Sequence, residues 1–268
     1  MITRSGDWKA AITGPASVPF APLVDRLDAA RFSDCAALNA LCGGEHRNAA
    51  GLPIRFVTPR EADREQGYES RVFHSGGIVT REDNWHDLFN ALAWLTFPRT
   101  KRELNRLHHE HGLRETGQRS AARDALTAFD ESGVIVACAD GSLAQLLREF
   151  RWKPLFAERR GEVERRMRFF VFGHALQEQM LSPFPGITGK ALVLECDEAF
   201  MGMSLPGQLS HLDERVATLI TGAQALASTR SLCPLPLLGI PGWDKANASP
   251  DYYDNTAVFR PGRRNDAG

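Results

Sequence analysis

Residues 68–105 read YESRVFHSGGIVTREDNWHDLFNALAWLTFPRTKRELN, and this run constrains the fold more than any other stretch of the chain. It sets Asn84, His86, Asp87 and Asn90 among Trp85, Leu88, Phe89, Leu92, Trp94, Leu95 and Phe97. The large apolar side chains belong in a core, so the polar ones must lie beside buried surface, where each needs a partner or a task. Asp83 or Asn84 can cap a helix start, and Pro98 both removes an intrahelical donor and biases Phe97 away from helical geometry. Thr100-Lys101-Arg102-Glu103 then has the pattern of a capping box. Two helices with a break between them are expected, the second running to about His111 with Gly112 as its exit.

Around this run the pattern predicts one or two short amphipathic helices over 23–41, stopped by Cys42-Gly43-Gly44, and a strand over 52–57. Residues 68–74 and 78–81 flank Ser75-Gly76-Gly77 and read as a β-hairpin. A second hairpin is expected from 124–130 and 134–139 around Glu131-Ser132-Gly133, in preference to a helix carrying the stripe Ala122, Ala125, Leu126 and Phe129. Short helical spacing covers 142–150. Val163, Met167, Phe170, Val171, His174, Glu178 and Leu181 fall on one helical stripe, and Phe169, Phe172, Leu176 and Met180 on another, which predicts a central helix apolar on two sides. An isolated strand over 187–196 and a last amphipathic helix from Leu209 to Leu226 follow. From about residue 233 the chain is rich in proline and aromatics and reads as a surface strap anchored by Trp243, Tyr252, Tyr253 and Phe259, with a disordered tail over 262–268. With no repeat and no linker, the expected architecture is one α+β domain over residues 1–261, predominantly helical with short β-hairpins.

Composition matters mainly for what it excludes. The 32 basic and 33 acidic residues nearly cancel, which removes the electrostatic footprint of a general nucleic-acid binder or of a protein held on anionic lipid. Five cysteines, odd in number and without a CxxC pair, argue against a disulfide framework or a cysteine zinc cage and for a reducing compartment. Asp7, Lys9 and several prolines interrupt the apolar stretch that a signal peptide needs, and no window has the length and apolarity of a membrane span. A cytoplasmic location is the expectation; the sequence is silent on oligomeric state.

On a helix starting near Asn84, His86 and Asn90 share a face with Asp87 and Trp94 just beside it, a polar patch rimmed by aromatics. His86 can act as a metal ligand or general base; Asp87 sits where a carboxylate would also close a capping box. His174 and Glu178 are four residues apart and share a helical face, a spacing that can hold a metal between imidazole and carboxylate. Asp124 belongs to an acidic cluster with Asp130 and Glu131; the latter pair is explained by turn chemistry. The metal set is therefore His86, Asp87, Asp124, His174 and Glu178, for manganese, zinc or magnesium, with His86, His174 and Glu178 as catalytic groups. Arg71, Arg81 and Lys101, with Asn90 and Trp94, form the substrate-binding set for a small anionic molecule. The run His108-His109-Glu110-His111 is left outside the site, because cations at a helix C-terminus are favourable in themselves. No GxGxxG, Walker loop, HExxH or GxSxG motif is present.

The stretch NWHDLFNALAW, together with RDALTAFDESGV, FGHALQEQML, PLLGIPGW and YYDNTAVFRP, resembles a bacterial family catalogued as domain of unknown function 3025, over roughly residues 52–261. The resemblance implies a soluble single-domain protein and carries no activity with it. Read from the residues, the first function expected is a metal-dependent hydrolase acting on a small anionic substrate, a phosphate ester being the favoured class. The alternatives are a non-enzymatic binder of a small molecule or peptide, and a buried polar network that fixes the fold while function lies elsewhere.

Overall fold

The computed structural model describes residues 8–29, 32–60, 67–114, 120–222 and 226–262. After two 3-10 turns come α1 (Ala21–Val24) and α2 (Cys35–Cys42). The second is capped by Asp34, whose side chain accepts from the Ala37 N–H, and is closed by Gly43 in the left-handed region at φ 60°. Strand β1 (Arg55–Val57) then pairs in parallel with β2 (Gly77–Val79), and α3 (Tyr68–Ser75) lies between them in the chain.

The first expected hairpin does not form. Buried Val72 and half-buried Tyr68 are four residues apart, a helical and not an alternating spacing. Gly76 closes α3 at φ 71° and passes so near Pro53 that a Cβ there would lie 2.2 Å from its carbonyl oxygen. The glycine serves a helix exit and a close crossing, not a two-strand turn.

Helices α4 (Trp85–Thr96) and α5 (Pro98–Arg114) follow the expected pair, separated at Phe97 with φ −125° and ψ 57°. Asn84 caps α4 by accepting from the Asp87 N–H at 2.9 Å. The start of α5 differs: it begins at Pro98, and the Arg99 and Thr100 N–H groups donate to the Asp213 carboxylate at 3.0 and 2.8 Å. A distant carboxylate thus replaces the local capping box, and the helix continues through Gly112.

The second expected hairpin is also replaced. Residues 121–132 form α6 (Ala121–Ser132), burying Ala125, Leu126 and Phe129, and lead directly into β3 (Gly133–Cys138), buried throughout. The helical stripe prevails because one face of α6 packs on the core while Ser120 caps its start. Helix α7 (Gly141–Arg148) comes next. The expected two-sided helix is instead α8 (Arg160–Arg166), β4 (Met167–Val171) and α9 (His174–Gln179). Its middle is apolar on both sides because it is a strand between two cores: Phe170 and Phe172 enter one, Met167 and Val171 the other.

The expected isolated strand, β5 (Thr188–Glu195), is in fact interior to a sheet. After α10 (Glu198–Met201) and α11 (Leu205–Thr221), β6 (Cys233–Pro236) completes four strands in the order β4-β3-β5-β6. The β3–β5 pair is parallel, with Val134 opposite Ala191, and the two outer pairs are antiparallel. Alternation along β3 sends Ile135 and Ala137 into a core with Phe97, Phe129 and Leu212, and Val134, Val136 and Cys138 into a second core with Leu147, Phe156 and Leu235. The fold is α+β and predominantly helical.

The C-terminal stretch, expected to be a surface strap from about residue 233, begins instead as the sheet strand β6 and continues in 3-10 turns. Tyr253 and Phe259 are buried in the second core, with Trp243 and Tyr252 packed against it. The expected tail falls, apart from Gly262, outside the described residues. No helix among the described residues is long and apolar enough to cross a membrane.

Candidate metal centre

The end of α6 and the start of α9 meet through a backbone contact that only glycine permits. The Gly133 carbonyl accepts from both the Phe172 and the Gly173 N–H at 2.9 Å. A Cβ on Gly173 would lie 2.4 to 2.5 Å from Gly133 N, Ser132 N and the Glu131 carbonyl oxygen. This approach brings the last turn of α6 against the first residue of α9, so Glu131 and His174 face each other. His86, in the first turn of α4, completes the group.

Glu131 Oε2 lies 3.3 Å from His174 Nε2 and 3.6 Å from His86 Nε2. The two imidazoles meet edge to face with centroids 4.5 Å apart. His86, Glu131 and His174 each offer a donor atom within 4.8 Å of the others. His174 forms the buried floor at 5% side-chain exposure, while His86 and Glu131 open to solvent at 35% and 40%. Two surface grooves, of about 480 and 630 Å³, lie elsewhere on the molecule and include none of the three.

Asp87 orients His86 from behind: its Oδ1 lies 3.3 Å from His86 Nδ1, and the Arg81 guanidinium holds both carboxylate oxygens at 2.8 Å. Burial opposes the charge on Asp87, but Arg81 and His86 keep its carboxyl well below the usual range. The Asp87 and Glu131 carboxylates raise His86 to about 9. Contact with His86, against the cost of burial, lowers Glu131. Burial pushes His174 down to about 4, overcoming the pull of Asp130, and its Nδ1 is buried without a partner. At neutral pH the group is a charged His86–Glu131 pair beside a neutral His174.

Beneath the triad lies a closed polar network. Lys101 Nζ donates to Asn90 Oδ1 at 2.9 Å and to Asp130 Oδ1 at 2.6 Å. Asn90 Nδ2 and Trp94 Nε1 donate to the Tyr68 hydroxyl at 2.9 and 3.4 Å. Nearby, Asn105 donates to the Glu69 carboxylate at 2.6 Å. Burial, helped by Asp130, raises Glu69 from 4.5 to about 7. A raised folded-state value means that the residue's favourable contribution is complete below about 4.5 and is lost as pH rises through about 7. At pH 8 the ionised Glu69 therefore costs about 3 kcal/mol. Glu69→Gln should be more stable than the parent at pH 8 by up to about that amount, with the gap closing toward pH 4.5. Urea unfolding of both proteins across this range checks the difference, in which the opposing titration of His174 cancels.

The expected site is thus partly assembled. His86 and His174 meet. Glu131, assigned to turn chemistry in the sequence, is the third member. Asp87 stands behind His86, engaged by Arg81. Asp124 is exposed in the first turn of α6, seven residues before Glu131 and so about 10 Å away along the axis. Glu178 is exposed one turn after His174 and does not join the group. Arg81 is 58% exposed at the rim, whereas Asn90, Trp94 and Lys101 are buried at 6%, 2% and 2% and cannot line a surface pocket. Arg71 is half-buried on α3, not on a hairpin arm. His108, left outside the site with its neighbours because cations at a helix C-terminus are favourable in themselves, is buried at 4%.

A family profile described as protein of unknown function (DUF3025) matches residues 54–263. The chain belongs to that family. The DUF3025 match begins at the residue before β1 and contains His86, Glu131 and His174, as well as Lys101 and both glycines of the backbone contact. No curated protein and no solved structure matches the chain.

Proposed function

We propose that the chain is a metal-dependent hydrolase in which His86, Glu131 and His174 hold one divalent cation and a small anionic substrate, with phosphate esters as the favoured class, is turned over at the exposed rim. The observation that carries this reading is the spacing of the three donors. Zinc bonds of about 2.0–2.1 Å at tetrahedral angles place neighbouring ligand atoms about 3.3 Å apart; Glu131 Oε2 stands 3.3 and 3.6 Å from the two imidazole nitrogens. Two imidazoles and one carboxylate form a ligand set found in catalytic zinc sites, and the nitrogen content favours zinc over manganese and magnesium, which prefer oxygen ligands.

A divalent ion supplies an activated water and a Lewis acid for the scissile bond. The chain's own residues do the rest. Asp87 fixes the His86 ring from its far edge, as carboxylates behind ligating histidines do. Arg81 secures Asp87 and keeps a guanidinium exposed where an anionic group arrives. His86, protonated in the metal-free chain, would have to lose that proton to hold the cation, so binding should weaken as pH falls. His174, neutral through burial, would ligate through whichever ring nitrogen does not carry its one remaining proton.

Zinc affinity tests the reading. The protein should bind one zinc ion with micromolar or tighter affinity, and Glu131→Gln, His86→Ala and His174→Ala should each weaken binding about 100-fold or more while leaving far-ultraviolet circular dichroism unchanged. Zinc- or manganese-loaded protein should hydrolyse para-nitrophenyl phosphate, and Glu131→Gln should not. Absence of zinc and manganese binding in the parent protein would leave the triad as an ion-paired network and end the metal reading.

A further inference from the structure

We infer that Lys101 is a positioning residue for the triad, its ammonium tying the helix that carries His86 to the helix end that carries Glu131. The inference rests on the cation-site reading for its consequence, though not for its geometry. Asn90 lies one turn after His86 on α4, and Asp130 immediately precedes Glu131 on α6. Lys101, on α5, bonds to both, so a single buried charge spans the two elements. At 2% exposure the ammonium has no water to turn to, and an unpaired buried donor or charge is costly. Its remaining face lies over Trp94, 5.5 Å from the ring centroid.

Each partner is itself held. Asn90 donates its amide to Tyr68, which turns its carbonyl toward Lys101. The Asp130 carboxylate is driven toward the neutral form by burial, yet the Lys101 ammonium bonded to it keeps it charged. The ammonium thus fixes the lateral position of the last α6 turn, while the Gly133–Gly173 contact fixes its approach to α9. Three donors tolerate only a small displacement. Loss of a group that orients metal ligands weakens affinity about 10–100-fold.

The test compares Lys101→Met/Asp130→Asn, which removes both charges together, with Lys101→Arg, which keeps the bridge. Two quantities are read: zinc affinity of the folded protein, by competition with a chromophoric chelator, and the nuclear Overhauser effect between the His86 and His174 rings in zinc-free protein. The double variant should bind zinc about tenfold or more weakly and lose the inter-ring effect, and Lys101→Arg should retain both. Persistence of the inter-ring effect in the double variant overturns the inference, whatever happens to zinc. If the double variant does not fold, Asn90→Ala cuts the α4 arm alone and is read in the same way. A parent protein that binds no zinc refutes the metal reading and leaves the ring contact to decide the role of Lys101.

Discussion

Gly173→Ala is expected to destabilise the protein by about 3 kcal/mol or more, a large effect for one methyl group. The backbone at Gly173 has φ −65° and ψ 120°, a conformation open to any residue, so no dihedral strain contributes. The cost is steric. The new Cβ would stand 2.4 to 2.5 Å from three backbone atoms of residues 131–133, none of which can rotate away as a side-chain tip does. Relief requires α9 to withdraw from α6, which also parts His174 from Glu131. Zinc affinity should therefore fall in whatever fraction of the variant remains folded. Gly141→Ala is the control: a Cβ there meets nothing within 4 Å, and at the first position of α7 alanine should be neutral or stabilising by a few tenths of a kcal/mol. Urea unfolding of the pair gives the comparison. A Gly173→Ala protein as stable as the Gly141→Ala control would mean that the glycine contact does not set the junction.

Lys101→Met is expected to cost about 3–5 kcal/mol, because it strands Asp130 as a buried charge without its partner. Asp130 has 13% of its side chain exposed and Lys101 2%, so solvent screens the pair little. Adding Asp130→Asn should recover most of the loss, since a neutral amide tolerates burial far better than an orphaned carboxylate. The coupling energy from the double-mutant cycle should be correspondingly large. The pH dependence has a definite sign. Asp130 is held below its ordinary value in the parent, so its contribution is present above about 3.8 and is lost as pH falls through the lower folded value. In Lys101→Met the carboxyl can escape by protonation, and the gap to the parent should narrow as pH falls toward 4. A gap that is small at pH 7 would show that the pair contributes little to stability.

The parts of the fold written in local pattern were legible in the sequence. The Asn84 cap, the break at Phe97 and the two helices around Pro98 follow from residues within a few positions of one another. One departure has a plain cause: a strand buried on two sides loses the alternation that tells it from a helix. Residues 167–172 are apolar on both faces because two cores meet across β4, and spacing alone cannot distinguish that from a central helix. The start of α5 depends on Asp213, more than a hundred residues away.

The site was half legible. His86 and His174 stood out as histidines in apolar surroundings that demanded partners. Turn chemistry accounts for Glu131 only if residues 124–139 form a hairpin, and residues 121–138 form α6 and β3 instead. One signal pointed to the helix. If the stripe of Ala125, Leu126 and Phe129 is helical, Asp130 and Glu131 fall in the last turn, where the helix dipole disfavours carboxylates. Two acids in that position call for cations, and the structure provides them as Lys101 and His86. Glu178 and Asp124 had plausible helical positions but face solvent, which one sequence read by periodicity does not reveal.

The most direct test is an anomalous difference map at the zinc absorption edge, from crystals of the protein grown with zinc. One peak is predicted among His86, Glu131 and His174, about 2.0–2.2 Å from an imidazole nitrogen of each histidine and from a Glu131 oxygen. A map with no peak there, or with zinc bound only elsewhere on the chain, would contradict the account.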